Sequence, residues 1–362
     1  MLRYMSASAI DRGVRHEPLQ SSIGSAMTNE ITFALAIVTY GERAGLAKRV
    51  IESASTLDEV IEIVVIDNAS VNPFRVEQPD ISNSPQVTVI RHEENLGSAG
   101  GYNKAIRYFR EYGQADYLIL VDDDLLVTSN TIEGLQKIIS TYSDDEDPTF
   151  VIPRTDRPSQ TAIFAGMSSP NIRRNAFHDF HALYTLRSIV SARRKVSIPA
   201  TFVDIDHAPY GGMVISKAVS RSAELPDVRF FVYCDDYDYT MKIRKSGSRV
   251  LLVDVTPLLS IDKSWNHERR RAPAAFYPAA PDVRVYYSTR NRVAFEMRYT
   301  VTNWPLYIIN LLLFLLIGTI VAAVDVGISH DFIRRLRLIS RAIRDGLTGR
   351  LGVYAPARGF VS

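Results

Sequence analysis

Between Ile31 and Val127 short apolar runs rich in β-branched residues alternate with segments of helical apolar spacing. ITFALAIVTY, EIVVIDNAS, QVTVIR and YLILVDDDLLV read as buried strands, AGLAKRVIESAST and NKAIRYFREYG as helices. Strands alternating with helices predict an α/β domain around a mostly parallel sheet with helices on both faces. The strands end in polar residues, and ligands of such sheets bind beyond the carboxyl ends of the strands. Thr39, Asp67, Asn95 and Asp122 fall on that edge, a pattern that suits a nucleotide or nucleotide-sugar.

From about residue 151 to 230 the pattern is less regular, and IRRNAFHDFHALYTLRSIVSARRKVS is a basic helix or a mobile loop. HAPYGGMVIS is a turn entering a strand, and RVLLVDVTPLL is one more strand. FFVYCDDYDYTMKIRKSG predicts a helix with an acidic first turn and a basic end, stopped at Gly247, as helix polarity prefers.

The most apolar stretch, WPLYIINLLLFLLIGTIVAAVDVG, is long enough to cross a bilayer, a buried core helix being the alternative. After it, DFIRRLRLISRAIRDGLTGRLG predicts a basic amphipathic helix lying on anionic lipid. Arg290, Arg292 and Arg298 precede the apolar stretch, and Arg334, Arg335, Arg337, Arg341 and Arg344 follow it. Positive charge on both flanks favours a re-entrant or interfacial helix over a single crossing.

With 362 residues, 46% of them hydrophobic, the chain can bury a substantial core. A net charge of +2 gives no bulk argument for nucleic-acid binding. Cys234 is the one cysteine, which excludes a disulfide framework and suits a reducing compartment. Residues 1–30 are polar and carry no apolar signal core, so they are expected to be a disordered leader with a cytosolic start, and Met27 is an alternative first residue. The expected organisation is this leader, a catalytic domain over 31–300, and a membrane-associated helical region over 301–362.

Two acidic clusters carry the candidate chemistry. Asp122, Asp123 and Asp124 close the strand YLILV, and consecutive carboxylates are costly to hold unless a cation neutralises them. Alternation along a strand lets Asp122 and Asp124 face one side, and hard oxygen ligands suit Mn²⁺ or Mg²⁺. A solvated acidic turn or a helix cap is the plainer reading. In Asp235-Asp236-Tyr237-Asp238 one carboxylate of the pair can take the proton of an acceptor hydroxyl as it attacks an anomeric carbon, where the plainer reading is again a helix cap.

IVTYGER, VVIDNAS, NLGSAGGYNKAI, LVDDDLLV, APYGGMVIS, FFVYCDDYDYTMKIRKSG and YYSTRNRV occur in an order that resembles the GT-A-fold glycosyltransferases of family 2, and within them bacterial galactofuranosyl- and rhamnosyltransferases. The resemblance spans roughly residues 31 to 295 and implies a Rossmann-like nucleotide-diphospho-sugar transferase domain. It implies Thr39 and Asp67 near the base and ribose of the donor, Asn95 and Gly97 close to the nucleotide, and Asp123 among the donor-binding residues. It matches Asp122 and Asp124 to the DXD metal motif and Asp236 to the catalytic base, with Asp235 and Asp238 as acceptor-hydroxyl or supporting groups, while Gly211 and Gly212 floor the acceptor pocket. Where relatives carry a histidine ligand this chain offers Asp262 or, five residues on, His267, with Asp262 favoured. Met213 and Val214 stand where polymerising relatives carry paired tryptophans, so no sugar-stacking platform is implied. Arg290 and Arg292 can meet a diphosphate or lipid phosphate, or serve as surface charge; His207 can bind acceptor or be structural; Cys234 is expected to be a packed small side chain.

The expected activity is inverting transfer of one sugar, galactofuranose from UDP-galactofuranose or rhamnose from dTDP-rhamnose, onto a lipid-linked glycan at the cytoplasmic face of a bacterial inner membrane. The partners are the donor, the acceptor and the membrane surface; a homo-oligomer is left open. A nucleotidyltransferase, which would release pyrophosphate, and a non-catalytic membrane scaffold are the rivals from other classes.

Overall fold

The structure, a computed structural model, describes residues 31–76, 85–141, 147–165, 171–190, 201–262 and 271–354. The leader at 1–30 and His267 lie outside the described residues, as does the end of the basic segment at 191–200. Ile31–Ser362 forms one compact unit.

The strands are β1 (Phe33–Thr39), β2 (Val60–Asp67), β3 (Gln86–Arg91), β4 (Tyr117–Asp122), β5 (Leu125–Leu126), β6 (Thr149–Val151), β7 (Phe202–Asp204), β8 (Met213–Ser216), β9 (Val250–Val253) and β10 (Leu259–Ser260). The helices are α1 (Ala44–Ala54), α2 (Gly97–Tyr112), α3 (Ser129–Thr141), α4 (Pro158–Phe164), α5 (Ala182–Val190), α6 (Lys217–Ser222), α7 (Asp235–Lys245), α8 (Asp282–Tyr299), α9 (Trp304–Val326) and α10 (His330–Leu347).

Eight strands form one sheet in the order β3-β2-β1-β4-β8-β6-β9-β7. Its first four strands are parallel, as expected. The sheet is mostly parallel, since β6 and β9 run with the first four strands; only β8, antiparallel to β4 and β6, and β7, antiparallel to β9, are reversed. A fully buried run such as MVIS has no polar face to mark its direction, so its pattern could not show the reversal.

Alternation along β1 sorts the core. Phe33, Leu35 and Ile37 meet α1 and α3 through Val50, Ile51, Ile132 and Leu135. Ala34 and Ala36 face the other way, toward Tyr102, Ile106 and Phe109 of α2 and Tyr239 and Ile243 of α7. The short pair β5–β10 lies outside the sheet and carries Asp262 to the end of β4, where the Ile261 amide donates to the Asp124 carbonyl at 2.9 Å.

The helix expected from Asn103 begins six residues earlier, at Gly97, so the glycine-rich segment is its first turn and not a loop. FFVYC lies before α7, not inside it. The C-terminal helices pack on the same unit. α9 buries Tyr307, Asn310, Leu311, Gly318 and Ala322 and leaves Ile309, Leu312, Leu316, Ile320 and Val324 exposed. Both its ends are tied inward: the Tyr307 hydroxyl donates to Glu296 at 3.0 Å and the Tyr277 hydroxyl to Asp325 at 2.8 Å. The apolar face of α10, including Phe332, Ile339, Ala342 and Ile343, packs with residues of α8. That face was expected to rest on lipid; the neighbouring helix has taken it.

Candidate active site

The first acidic cluster closes β4, and its partners follow the carboxyl ends of β1 and β6 in the same sheet, with Asp262 brought in after β10. Asp123 points inward and is buried, accepting from the Thr39 hydroxyl at 2.9 Å and from Arg43 Nε at 2.9 Å. Arg43 goes on to Asp124 (3.2 Å) and Asp262 (2.8 Å), so one guanidinium bridges three carboxylates. Asp122 is held on the other side by the Tyr102 hydroxyl at 2.8 Å and by Arg154 Nη1 at 2.7 Å. Arg154 is itself buried and also pairs with Asp156 at 2.9 Å. Burial outweighs the help of Arg43 and Thr39 at Asp123 and pushes its carboxyl up to about 7. Burial and the charge of Asp122 also raise Asp124.

The second cluster opens α7, and the chain reaches it through strained backbone. Phe231, Tyr233 and Cys234 have φ of 67°, 66° and 60°, the left-handed region that side chains other than glycine rarely adopt. Phe231 is the centre of a γ-turn, its ψ being −65° and the Val232 amide reaching the Phe230 carbonyl at 2.9 Å. The surroundings hold this loop in place. Asn291 Nδ2 donates to the carbonyls of Phe230 (2.8 Å), Val232 (2.6 Å) and Tyr233 (3.0 Å). Arg290 donates to Asn291 Oδ1 at 2.8 Å and to the Phe230 carbonyl at 3.1 Å. From the opposite side the Ala99 amide donates to the Phe231 carbonyl at 3.1 Å. Gly97, at φ +68°, sits so close that a Cβ would lie 2.0 Å from that carbonyl oxygen.

The loop delivers two unlike acids. Asp235 is buried and accepts from the Ser98 hydroxyl at 2.8 Å. Asp236 is half-buried and accepts from the Tyr237 amide at 2.9 Å. Burial raises both carboxyls, with the charge of Asp236 adding to the rise at Asp235 and that of Asp122 adding to the rise at Asp236. His207 packs edge-on against Tyr237 at 4.1 Å between ring centres, and burial lowers its imidazole to about 4.

One helix joins the clusters. Ser98 and Tyr102 are four residues apart on α2, hence on one face and about one 5.4 Å turn apart. Ser98 holds Asp235 and Tyr102 holds Asp122. Tyr102 also stacks on Tyr210 at 4.1 Å, and Tyr210 in turn feels the charges of Asp235 and Asp236. The structure thus gathers the two clusters about the N-terminal half of α2, near enough for Asp122 to act on Asp236 through its charge.

Several other candidates are occupied elsewhere. Asp67 is buried in its own turn, accepting from the amides of Ser70 (2.8 Å) and Phe74 (2.9 Å) and from Arg91. Burial would raise its carboxyl, but these donors hold it below the usual range. Thr39 is spent on Asp123. Asn95 accepts from Asn68 and from the Gly97 amide, both at 2.9 Å, which shapes the start of α2. Asp238 is buried and ties α7 to α8 through Arg298 (2.8 Å) and the Tyr299 hydroxyl (3.0 Å). Gly211 and Gly212 are close-packed on the side a Cβ would occupy. A Cβ on Gly211 would lie 2.5 Å from Arg154 Nη1 and 2.8 Å from Asp122 Oδ2, and one on Gly212 would lie 2.4 Å from the Ile152 carbonyl oxygen. Their lack of side chains lets β8 pass beside the first acidic cluster. Arg290 and Arg292 are not free to meet phosphate: both are buried, Arg290 on the loop before α7 and Arg292 against Glu296 at 2.8 Å.

Arg43, Arg154 and Asn291 were not among the sequence candidates. The two arginines follow the carboxyl ends of β1 and β6, the same signal that marked Thr39 and Asp122. Nothing local marks Asn291, whose partners lie about sixty residues away.

No three His, Cys, Asp or Glu side chains among the described residues are grouped to hold an ion. The donor chemistry still fits a hard divalent cation. Asp122 and Asp124 offer oxygen only, and Asp124 Oδ1 is buried without a hydrogen-bond partner among the described residues.

Residues 34–190 match the family model described as glycosyl transferase family 2. No curated protein sequence matches the chain significantly. Solved structures similar to it include GalNAc-T7 with UDP, GalNAc and Mn²⁺ (14% identity over 74% of this chain, TM-score 0.46), of which the chain covers about half, 48%. Staphylococcus aureus TarS 1-349 is similar at 12% identity over 88% of this chain and 82% of that one (TM-score 0.47). The complex of the same protein with UDP-GlcNAc matches at 14% identity over 86% and 82%, with a TM-score of 0.46.

Proposed function

We infer that this enzyme, a glycosyltransferase carrying a family 2 domain at residues 34–190, moves one sugar from a nucleotide-sugar donor to a hydroxyl of a lipid-linked glycan, inverting the anomeric centre. The observation that supports the reading is the pairing of two unlike acidic clusters on one face of α2. One is bound to guanidinium groups; the other presents Asp236 half-buried at a helix start.

The acceptor oxygen forms its bond to the anomeric carbon as the bond from that carbon to the diphosphate oxygen breaks. Asp236 takes the hydroxyl proton, and the nucleoside diphosphate leaves with the electron pair. Burial raises the proton affinity of Asp236 toward that task. Asp235, fixed by Ser98, keeps its neighbour in place. Asp122 and Asp124 would hold Mn²⁺ or Mg²⁺, which when bound supplies positive charge for the departing diphosphate. Arg43 and Arg154 hold the same carboxylates in place through ion pairs.

The donor we propose is UDP-galactofuranose, with dTDP-rhamnose as the second entry of a donor panel. The outward stripe of α9, Ile309, Leu312, Leu316 and Ile320, supports a membrane-resident acceptor and a site of action on the cytoplasmic face of a bacterial membrane. Because α9 is bound along its inner face and at both ends, it suits lying in the interface better than crossing it.

The test is to incubate the full chain and Mn²⁺ with the donor panel and membrane glycolipids and to identify products by mass spectrometry. A glycolipid one sugar heavier together with free nucleoside diphosphate is expected. Pyrophosphate release, or no transfer from any donor, would overturn the reading.

A further inference from the structure

With its apolar face on α8, α10 turns a basic face outward. That face holds a groove of about 630 Å³, lined chiefly by Ile333, Leu336, Arg337, Arg341, Arg344 and Arg350. The α10 residues in this set recur at intervals of three and four, so they share one face of the helix. Arg350 joins them because the chain reverses at Gly349 (φ +67°) and the Arg350 amide returns to the Asp345 carbonyl at 2.8 Å.

The acid in the neighbourhood does little to neutralise the groove. Asp345 accepts from the buried Tyr286 hydroxyl at 2.6 Å, and Arg341 approaches it only to 3.8 Å. Arg341 lies over the Tyr354 ring, 5.1 Å from its centre. Arg337, Arg344 and Arg350 form no ion pair with any described residue. By contrast Arg334, on the same helix, is paired with Asp282. Like-charged guanidiniums gathered without counter-charge fit a ligand rich in anionic oxygens, and their forked donors match phosphate.

Apolar residues line part of the groove and are exposed before it in the chain. Ile333 on its wall and Ile328 in the turn from α9 are exposed, and the exposed stripe of α9 precedes them. A small soluble anion would leave that surface bare. We propose that the groove binds the phosphate headgroups of anionic phospholipid in a membrane leaflet, while the α9 stripe enters the acyl boundary. α10 then contributes charge rather than apolar burial, the reverse of an ordinary amphipathic anchor. The site is independent of which sugar is transferred.

The test is co-sedimentation of the full chain with phosphatidylcholine vesicles, alone and doped with phosphatidylglycerol. The groove variant carries Arg337→Gln, Arg341→Gln and Arg344→Gln. A control loses the same charge from exposed positions elsewhere, through Lys48→Gln, Arg49→Gln and Arg107→Gln. The groove variant should lose about a hundredfold in partitioning onto the doped vesicles. The control should change only a few-fold, and neither should change much on phosphatidylcholine alone. Equal loss in both variants, or undiminished binding by the groove variant, would overturn the proposal. So would tight calorimetric binding of inorganic phosphate in the absence of vesicles, which would make the groove a small-anion site. Far-UV circular dichroism and UDP calorimetry on the groove variant should match wild type, showing that the fold and donor site stand. A chain that binds vesicles in this way yet transfers no sugar would sink the transfer reading and leave this one intact.

Discussion

The two acidic clusters look alike in sequence, yet the molecule treats them in opposite ways. Asp122, Asp123 and Asp124 end a regular strand and are met by Arg43 and Arg154, so their charge is balanced inside the fold. Asp235 and Asp236 follow a strained loop and have no arginine within ion-pairing distance among the described residues; helix-start amides and one serine are their partners. Carboxylates gathered around guanidinium groups offer several oxygens at one place and suit holding a cation. An unpaired, half-buried carboxylate has a raised proton affinity and suits taking a proton. The difference lies in the surroundings, since both clusters are runs of aspartate.

That contrast can be broken most sharply at Asp236. Asp236→Asn should lower turnover by about 10²–10⁴-fold while UDP binding, read by calorimetry, stays within a few-fold. Retained turnover would remove Asp236 from its role. Next comes the support of the loop. Asn291→Ala removes a donor shared by three carbonyls, of which that of Phe230 keeps Arg290 and the Val232 amide, and should cost about 2–4 kcal/mol of stability in urea denaturation. At saturating donor its kcat should fall while donor affinity holds; an unchanged kcat would make Asn291 a stabilising residue only.

Arg43→Gln probes the other side of the comparison. Without divalent metal its Tm should drop, by an amount equivalent to about 1–2 kcal/mol, because Asp123, Asp124 and Asp262 lose their shared counter-charge. Added Mn²⁺ should raise the variant's Tm more than the wild type's, and an equal response in the two proteins would separate Arg43 from the cation site. The mildest perturbation is pH. The Asp236 carboxyl is pushed up to about 6, so below that value it is protonated and cannot act as base. kcat/KM should therefore rise with pH through this region and be about tenfold lower one unit beneath it. A flat profile down to pH 4 would contradict the raised affinity.

The first acidic cluster and the four parallel strands beneath it were legible because each is local: an apolar run, a polar end, a helix. The second half was harder. The direction of β8 depends on its neighbours β4 and β6, and its own four residues cannot encode it. α8 was not predicted at all, because it buries Arg290, Asn291, Arg292 and Glu296 alongside Tyr287, Val293 and Phe295. Paired charges on the inside erase the apolar stripe by which helices are recognised. The same pairing hid Arg43 and Arg154, whose partners are 80 and 32 residues away. Gly211 and Gly212 are a related case: a glycine shows that space is needed without showing what fills it.

The last described residues fasten the chain's end to the loop before α7 and to α8. Arg290 donates to the Gly352 carbonyl at 2.6 Å, and the Gly352 amide reaches the Arg229 carbonyl, also at 2.6 Å. Tyr354 stacks on Tyr286 at 3.8 Å, and its amide meets the Tyr287 hydroxyl at 2.8 Å. A chain shortened to remove the apolar helix would lose part of the packing that holds the rest of the unit. Clipping after Tyr299 strips Phe276 and Phe177 of their cover and leaves Arg290 reaching into water.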